Sequence, residues 1–182
     1  MIASKHARDS ARPIQYFAIR KFPSVASRNR LSDAWSSSLT VGEGSDDSLS
    51  QTGFGDFPFK TTQRQYAWHN DVTLPLGALA VILERREERL DTDAGFAVTE
   101  RDTNSGTGVY QLRYGAFAAQ ANLRHDHSSQ YGGRTTGGLA LGYKVSPAWR
   151  VTAGYSTGFK APSFNDLYYP FFSNPDLQPE TS

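Results

Sequence analysis

The stretch Thr135–Thr157 constrains this chain more than any other. Leu139, Leu141 and Tyr143 share one parity, and Gly138, Ala140, Gly142 and Lys144 share the other. Strand side chains point alternately to opposite faces, so this is a strand with one apolar face. Val145–Ala148 is a turn, and Pro147 in it cannot donate a ladder hydrogen bond. Beyond it, Trp149, Val151, Ala153, Tyr155 and Thr157 share a face against Arg150, Thr152, Gly154 and Ser156. Two alternating arms joined by a short turn pair most cheaply as an antiparallel hairpin. The apolar face could pack on a second sheet in a soluble sandwich, or meet lipid in a membrane barrel. Alternation alone fits both.

Composition narrows the choice little. A hydrophobic fraction of 38% is low for a compact domain of 182 residues. Glycine, tyrosine and phenylalanine at 16, 9 and 11 copies favour sheet and turn. Mean hydropathy of -0.53 and the lack of a long apolar run exclude a transmembrane helix. They do not exclude a barrel, because half of each barrel strand faces away from lipid. A net charge of +1 gives no basic excess for nucleic acid. With no cysteine there are no disulfides, thiolate metal sites or thiol nucleophiles. Met1–Gln15 carries Lys5, His6 and Arg8 with no apolar core following, unlike a secretory signal peptide.

The rest of the chain follows a rhythm. Residues 1–32 hold an apolar run, Ile14–Ile19, among basic residues, and read as a solvated arm or a degenerate strand. Trp35, Ser37, Leu39 and Val41 alternate with Ala34, Ser36, Ser38 and Thr40 as a strand. Glu43–Lys60 reads as a long loop. Thr61–Leu74 is a long strand with Tyr66, Trp68, Asn70, Val72 and Leu74 on one face. Ala67, His69, Asp71 and Thr73 take the other, with Arg64 grouped beside them. Pro75–Gly77 is a tight turn. Ala78–Asp91 has helix-forming charges at Glu84–Arg89, but the turn and the Leu79/Val81/Leu83 alternation predict a strand. Thr92–Gly108 is a second polar loop, Val109–Tyr114 a short strand, Gly115–Ala116 a turn, Phe117–Asp126 a strand and His125–Arg134 a third loop. Short turns at one end and long loops at the other favour an outer-membrane barrel.

Catalytic groups are not evident. His125 and His127 could share a metal at i and i+2, but no spacing supplies a third ligand, and polar loop residues are the plainer reading. His69 beside Asp71 resembles a base and its orienter without a nucleophile. Asp46, Asp47, Asp56, Asp91, Asp93 and Asp102 are hard oxygen donors for calcium, without an EF-hand spacing. No phosphate loop, dinucleotide fingerprint or nucleophile elbow is present. The aromatics Tyr155, Phe159, Phe164, Tyr168, Tyr169, Phe171 and Phe172 cluster at the loop end of the last hairpin. They fit an interface girdle or a ligand mouth. Trp149 fits the girdle at the opposite end.

Ser156–Pro162, Phe164–Tyr169 and Asn174–Glu180 together resemble the barrel of TonB-dependent outer-membrane receptors. Arg124–Gly133 leading into Thr135–Tyr143, with Thr61–Arg89, is most similar to the vitamin B12 (cobalamin) receptors. The resemblance covers residues 33–182. It implies a non-enzymatic receptor in the outer membrane of a Gram-negative bacterium, surrounded by outer-membrane lipid. Its barrel would be twenty-two-stranded and filled by a plug that couples to TonB–ExbB–ExbD. Cobalamin would bind at the outer face, and calcium orders loops in such receptors. The resemblance places Phe164, Tyr168, Tyr169, Phe171 and Tyr131 on the ligand side. Neither plug nor closing strands are recognised here. The expectation is therefore an all-β antiparallel meander of about seven strands, part of a transmembrane barrel and not closed by itself. That predicts a fragment. A siderophore receptor and a soluble all-β binding module are the alternatives. An outer-membrane phospholipase would need a Ser/His/Asn set on one face, and none is found.

Overall fold

The computed structural model describes residues 15–52, 55–168 and 173–182. One antiparallel sheet holds β1 (Gln15–Lys21), β2 (Ser24–Arg30), β3 (Trp35–Thr52), β4 (Gly55–Leu74), β5 (Gly77–Thr92), β6 (Glu100–Tyr114), β7 (Phe117–Ser128), β8 (Gly132–Lys144) and β9 (Arg150–Ser156). Each strand from β3 to β9 pairs with its neighbour in sequence, which makes the sheet a meander. Beyond it lie β10 (Phe159–Lys160), α1 (Phe164–Tyr168) and β11 (Glu180–Thr181), with β10 and β11 paired.

Residues 15–30, open between arm and strand, are strand. Both β1 and β2 pair with β3, and the register runs on without a shift from Lys21↔Ser45 to Ser24↔Gly42. They form one edge strand interrupted at Pro23, which has no N–H for the ladder. The Pro23 carbonyl still accepts from the Glu43 N–H at 3.0 Å. The sheet is thus one strand wider than expected. Among the described residues it does not close, since the β1/β2 edge and β9 each have a partner on one side only.

The short turns fall where expected. Gly77 (φ 151°) and Gly115 (φ 57°) take up backbone that other residues rarely adopt. A Cβ on Gly77 would lie 2.1 Å from the Gln111 carbonyl oxygen, so this turn admits only glycine. The long loops are different from the expectation. Most of Glu43–Lys60 continues β3 and β4, residues 100–108 extend β6 downward from Val109, and only 129–131 separate β7 from β8. Period-two hydropathy vanishes over Glu43–Asp47 and residues 100–108 because both faces are polar there, yet the ladder persists. Ion pairs across it replace the missing apolar signal: Arg64–Glu43 at 2.6 Å, Arg89–Glu100 at 2.6 Å and Arg101–Glu88 at 2.8 Å. The same pairing decides Glu84–Arg89 for strand over helix. Arg64 is also relocated. It stands opposite Glu43 and Glu87, on the face of Tyr66 and Trp68, not with Ala67 and His69.

The faces are inverted relative to a water-soluble protein. Among the described residues, Leu90, Phe164 and Leu167 are the buried apolar ones, whereas Ser48, Asn70, Thr103, Ser105, Asp126 and Ser128 are buried polar ones. Trp35, Leu39, Trp68, Leu83, Leu123, Leu139, Leu141, Tyr143 and Tyr155 are exposed. Register puts them on one continuous face: Leu39, Trp68 and Leu83 form one row, and Leu139 and Tyr155 belong to the row begun by Trp35 and Val72. The accessible surface is 13696 Å². A compact monomer of this mass exposes about 8,700 Å². A soluble sandwich would cover that face with a second sheet. Here no second sheet lies on it among the described residues.

Candidate functional site: the polar face and its strap

Alternation places Ser38, His69, Ile82, Thr107, Arg124 and Thr136 in one row of the opposite, polar face, with Thr40, Ala67, Glu84, Ser105, Asp126 and Arg134 in the next. The centre of this face is a charge-paired network. Arg124 donates from Nε and Nη2 to both oxygens of Asp126, at 2.7–3.0 Å. It also donates to Ser105 Oγ at 2.8 Å and Thr107 Oγ1 at 3.3 Å. Ser105 Oγ donates to Asp126 in turn. Asp126 is 3% exposed, so pairing is what allows its charge to sit there. Glu84 lies 3.7 Å from Arg124 and accepts from Gln65 at 2.8 Å.

A second cluster lies further along the same face. Arg101 donates to Glu88 Oε2 at 2.8 Å, to Gln130 Oε1 at 3.1 Å and to the Pro162 carbonyl at 3.0 Å. Its guanidinium also sits 4.9 Å from the centre of the Phe164 ring. Arg101 therefore ties β5, β6, the β7–β8 turn and the segment after β9 together. Sequence reading misses it because Thr92–Gly108 looks like a loop. The alternation of Thr103, Ser105, Thr107 and Val109 with Asp102, Asn104, Gly106 and Gly108 is the available signal, with β-branched residues on one parity.

The described residues after β9, the strap, are tied together locally. Gly158 and Ser182 exchange backbone hydrogen bonds at 2.9 and 3.0 Å beside the β10–β11 pair. Ser163 and Asp166 cap α1 reciprocally: the Ser163 N–H and Oγ donate to Asp166 Oδ2 at 2.9 and 2.7 Å, and the Asp166 N–H donates to Ser163 Oγ at 3.2 Å. These donors hold the Asp166 carboxyl below its ordinary range. The Asn174 N–H bonds the Asp166 carbonyl at 2.9 Å.

The ligand-side candidates separate. Phe164 is buried against Arg101 on the polar face, so it is not part of an outward girdle. Tyr168 closes α1 and is half-buried. Tyr131, in the β7–β8 turn, packs edge-on to Phe159 at 5.7 Å between ring centres. Tyr169 and Phe171 lie outside the described residues. The girdle at the short-turn end consists of Tyr114, Phe117, Tyr143 and Trp149, with Phe117 and Tyr143 4.7 Å apart. The apolar depression there, about 820 Å³ and lined by Leu112, Tyr114, Phe117, Leu141 and Tyr143, opens on the exposed apolar face, away from the polar network.

The metal candidates are dispersed. His125 and His127 point to the apolar face, where His125 Nδ1 meets Thr135 Oγ1 at 2.8 Å. Asp126 between them points to the other face and is engaged by Arg124. His69 Nε2 lies 3.0 Å from Asp71, with no nucleophile in the pair. Asp46 pairs with Arg20 and Asp102 with Arg85. Among the described residues, no three His, Cys, Asp or Glu side chains gather as a metal site.

Several polar atoms on the apolar face are satisfied within the protein. Trp35 Nε1 donates to Asn70 Oδ1 at 3.1 Å, Trp68 Nε1 to Ser37 Oγ at 2.9 Å and Tyr110 Oη to the Leu76 carbonyl at 3.0 Å. Lipid supplies no hydrogen bonds, so a lipid-facing wall requires this.

Comparison with known proteins agrees with that wall. Residues 8–182 match the family model described as TonB dependent receptor-like, beta-barrel. The chain is similar to the Vitamin B12 transporter BtuB of Photobacterium profundum, 34% identical over 155 residues, covering 82% of this chain and 25% of that protein. It is also similar to the Vitamin B12 transporter BtuB of Vibrio vulnificus, 31% identical over 170 residues, covering 88% and 28%. The chain thus spans roughly a quarter of the length of these curated relatives. The siderophore receptor PirA from Pseudomonas aeruginosa shares the fold, with a TM-score of 0.59 at 16% identity over 90% of this chain and 40% of that one. The apolar face is therefore the lipid side and the polar face the lumen side, and the chain belongs to the TonB-dependent receptor-like β-barrel family of the Gram-negative outer membrane, a family of receptors and not of enzymes.

Proposed function

We propose that the chain forms part of the wall and outer mouth of a TonB-dependent receptor that takes up cobalamin. The observation that carries this reading is the similarity to two vitamin B12 transporters, above 30% identity over more than four-fifths of the chain. The lumen face is compatible with such a cargo. Two arginines at its centre are matched by carboxylates, Arg124 with Asp126 and Arg101 with Glu88. A face so neutralised suits a cargo recognised by amide hydrogen bonds and ring contact better than a strongly anionic one. Tyr131, Tyr168, Tyr169 and Phe171 are the ligand-side aromatics of this reading, and Phe164 supports them by holding the strap to the wall. Uptake through the whole receptor is driven by TonB–ExbB–ExbD acting on a plug. Calcium, if the whole receptor uses it to order loops, is assigned to no residue of this chain.

The test is an exchange of segments. The matching stretch of the Photobacterium profundum transporter is replaced by residues 8–182, in a host that lacks its own cobalamin receptor. Growth on limiting cobalamin and saturable cyanocobalamin binding to outer membranes are the expected results. A chimera present in the membrane that binds a ferric siderophore and not cyanocobalamin would overturn the cargo assignment.

A further inference from the structure

We propose that Arg113, Lys144 and Arg150 form a basic seat for an acidic polypeptide segment at the short-turn end of the lumen face. The proposal rests on reading that face as a receptor lumen. Its test uses no cobalamin, so it can fail without the cargo assignment failing.

Charge is spread unevenly along the chain. Between Thr103 and Asn165 the only carboxylate is Asp126, against six lysines and arginines, although the whole chain carries a net charge of +1. Asp126 is engaged by Arg124. The pairing that neutralises the centre of the face therefore stops before its short-turn end. Register places Arg113 in a row with Ala118, Gly142 and Thr152. The next row inward holds Thr73, Ala78, Gln111, Gln120, Ala140 and Gly154. Neither row has a carboxylate. Arg113 and Lys144 stand on β6 and β8, whose neighbours on both sides are described, so this lack does not depend on what lies beyond β9.

Lys144 and Arg150 sharpen the imbalance. They are direct partners across β8 and β9, on the same face. Like charges directly opposite each other destabilise a strand pair, and an anion between them removes the repulsion. Arg113 and Arg150 also line one depression of about 200 Å³, with Gln111, Gln120 and Thr152 as further hydrogen-bonding groups. The small side chains of Ala118 and Ala140 keep its floor low, so a main chain can lie against the wall.

Place and exposure decide which anion fits. Lipid lies on the other face, where Tyr114, Phe117, Tyr143 and Val151 stand at this level. All three cations are exposed. An exposed contact with one small anion is weak and screened by salt. Several carboxylates on one polypeptide act together at high effective concentration. Each arginine fork can also receive a carboxylate through two parallel bonds.

Lys144 can be told from Lys5, Lys21, Lys60 and Lys160 by peptide mapping. The full chain in zwitterionic micelles is treated with hexaglutamate and a water-soluble carbodiimide. The reagent joins a bound carboxylate to a lysine amine as an amide and leaves as its urea. Lys60 stands opposite Asp91, and their coupling reports the formed ladder. Lys144 should take up hexaglutamate at least about tenfold faster than the exposed Lys160. Arg113→Gln with Arg150→Gln should abolish that preference, and Arg113→Lys with Arg150→Lys should keep it. Equal labelling of Lys144 and Lys160, beside intact Lys60–Asp91 coupling, would overturn the seat. So would a preference that survives in the glutamine pair. Acetate in place of hexaglutamate should show no preference; an equal one would make this a small-anion site. Loss of the preference on adding phosphatidylglycerol to the micelles would reassign the cations to lipid headgroups. Either result would overturn the polypeptide assignment.

Discussion

Strand β7 carries two different surfaces within 12 residues. Toward lipid it presents Phe117, Ala119, Ala121 and Leu123; toward the lumen it presents Gln120, Asn122, Arg124, Asp126 and Ser128. The charged side is the more buried one at its outer end, where Asp126 and Ser128 are covered while Leu123 stands exposed. The two faces are stabilised by different means. The lumen face relies at its centre on hydrogen-bonded charge pairs, and the lipid face on apolar side chains with the Trp35 and Trp68 N–H groups paired within the sheet. Substitutions that look alike in a sequence should therefore differ by which face they strike.

The largest effect is expected on the lumen face. Asp126→Ala strands Arg124 beside Ser105 and Thr107, with Glu84 3.7 Å away. Breaking such a pair costs about 3–5 kcal/mol, whereas replacing both members by apolar residues of like volume is often neutral. Denaturation midpoints in lipid micelles should show a deep loss for Asp126→Ala and recovery for Arg124→Met with Asp126→Leu. A double variant as unstable as the single would mean that pairing is not what the face depends on.

Next comes the insertion of charge into the lipid face. Leu141 is 52% exposed and lies between Ala119 and Ala153, one row inside the Phe117–Tyr143 girdle. Leu141→Arg should cost about 2–4 kcal/mol and lower the folded fraction in outer membranes. Arg85 stands on the same face, two residues beyond Leu83, and pairs with Glu87 and Asp102. Arg85→Leu there should leave folding nearly unchanged. If the two substitutions were equally harmful, the edge of the bilayer could not lie between positions 83 and 85.

A smaller effect separates the polar atoms of the lipid face from its apolar ones. Trp35→Phe keeps an aromatic ring and removes the donor to Asn70 Oδ1. A buried acceptor left unpaired costs about 1–3 kcal/mol. Adding Asn70→Leu should restore most of the midpoint. Failure of that rescue would point to packing of the Trp35 ring as the source.

How much of this is legible in the sequence follows the same division. Wherever one face meets lipid, apolar parity marks the strand: Leu139/Leu141/Tyr143 and Trp149/Val151/Ala153/Tyr155 reveal both the strand and its face. Above the bilayer both faces meet water or protein, and the parity signal disappears although the ladder continues. That is why Glu43–Lys60 and residues 100–108 read as loops, and why Arg64 reads onto the wrong face. Arg101 is hidden for the same reason, since its role depends on β5, the β7–β8 turn and Pro162 reaching one side chain from distant parts of the chain. Phe164 is legible as an aromatic near the mouth, but not as one turned inward, because a five-residue helix after a proline has no periodicity to read.

The smallest effect concerns the strap, the element least like either face. Asp166 gains two donors from Ser163 when α1 forms, and its carboxyl is held below the ordinary range in consequence. A lowered folded-state pKa means that the capped form binds its proton less readily than the open one. The cap therefore contributes in full above the ordinary carboxylate pKa, and the contribution is lost as pH falls through the depressed value. Opening of α1, followed by hydrogen exchange at the Leu167 amide, should rise on acidification below the ordinary carboxylate range. Asp166→Asn measured alongside cancels the intrinsic pH dependence of exchange. The ratio of the two should be flat above that range and converge toward one below it. A constant ratio across the acid limb would show that the carboxylate does not control the opening of α1.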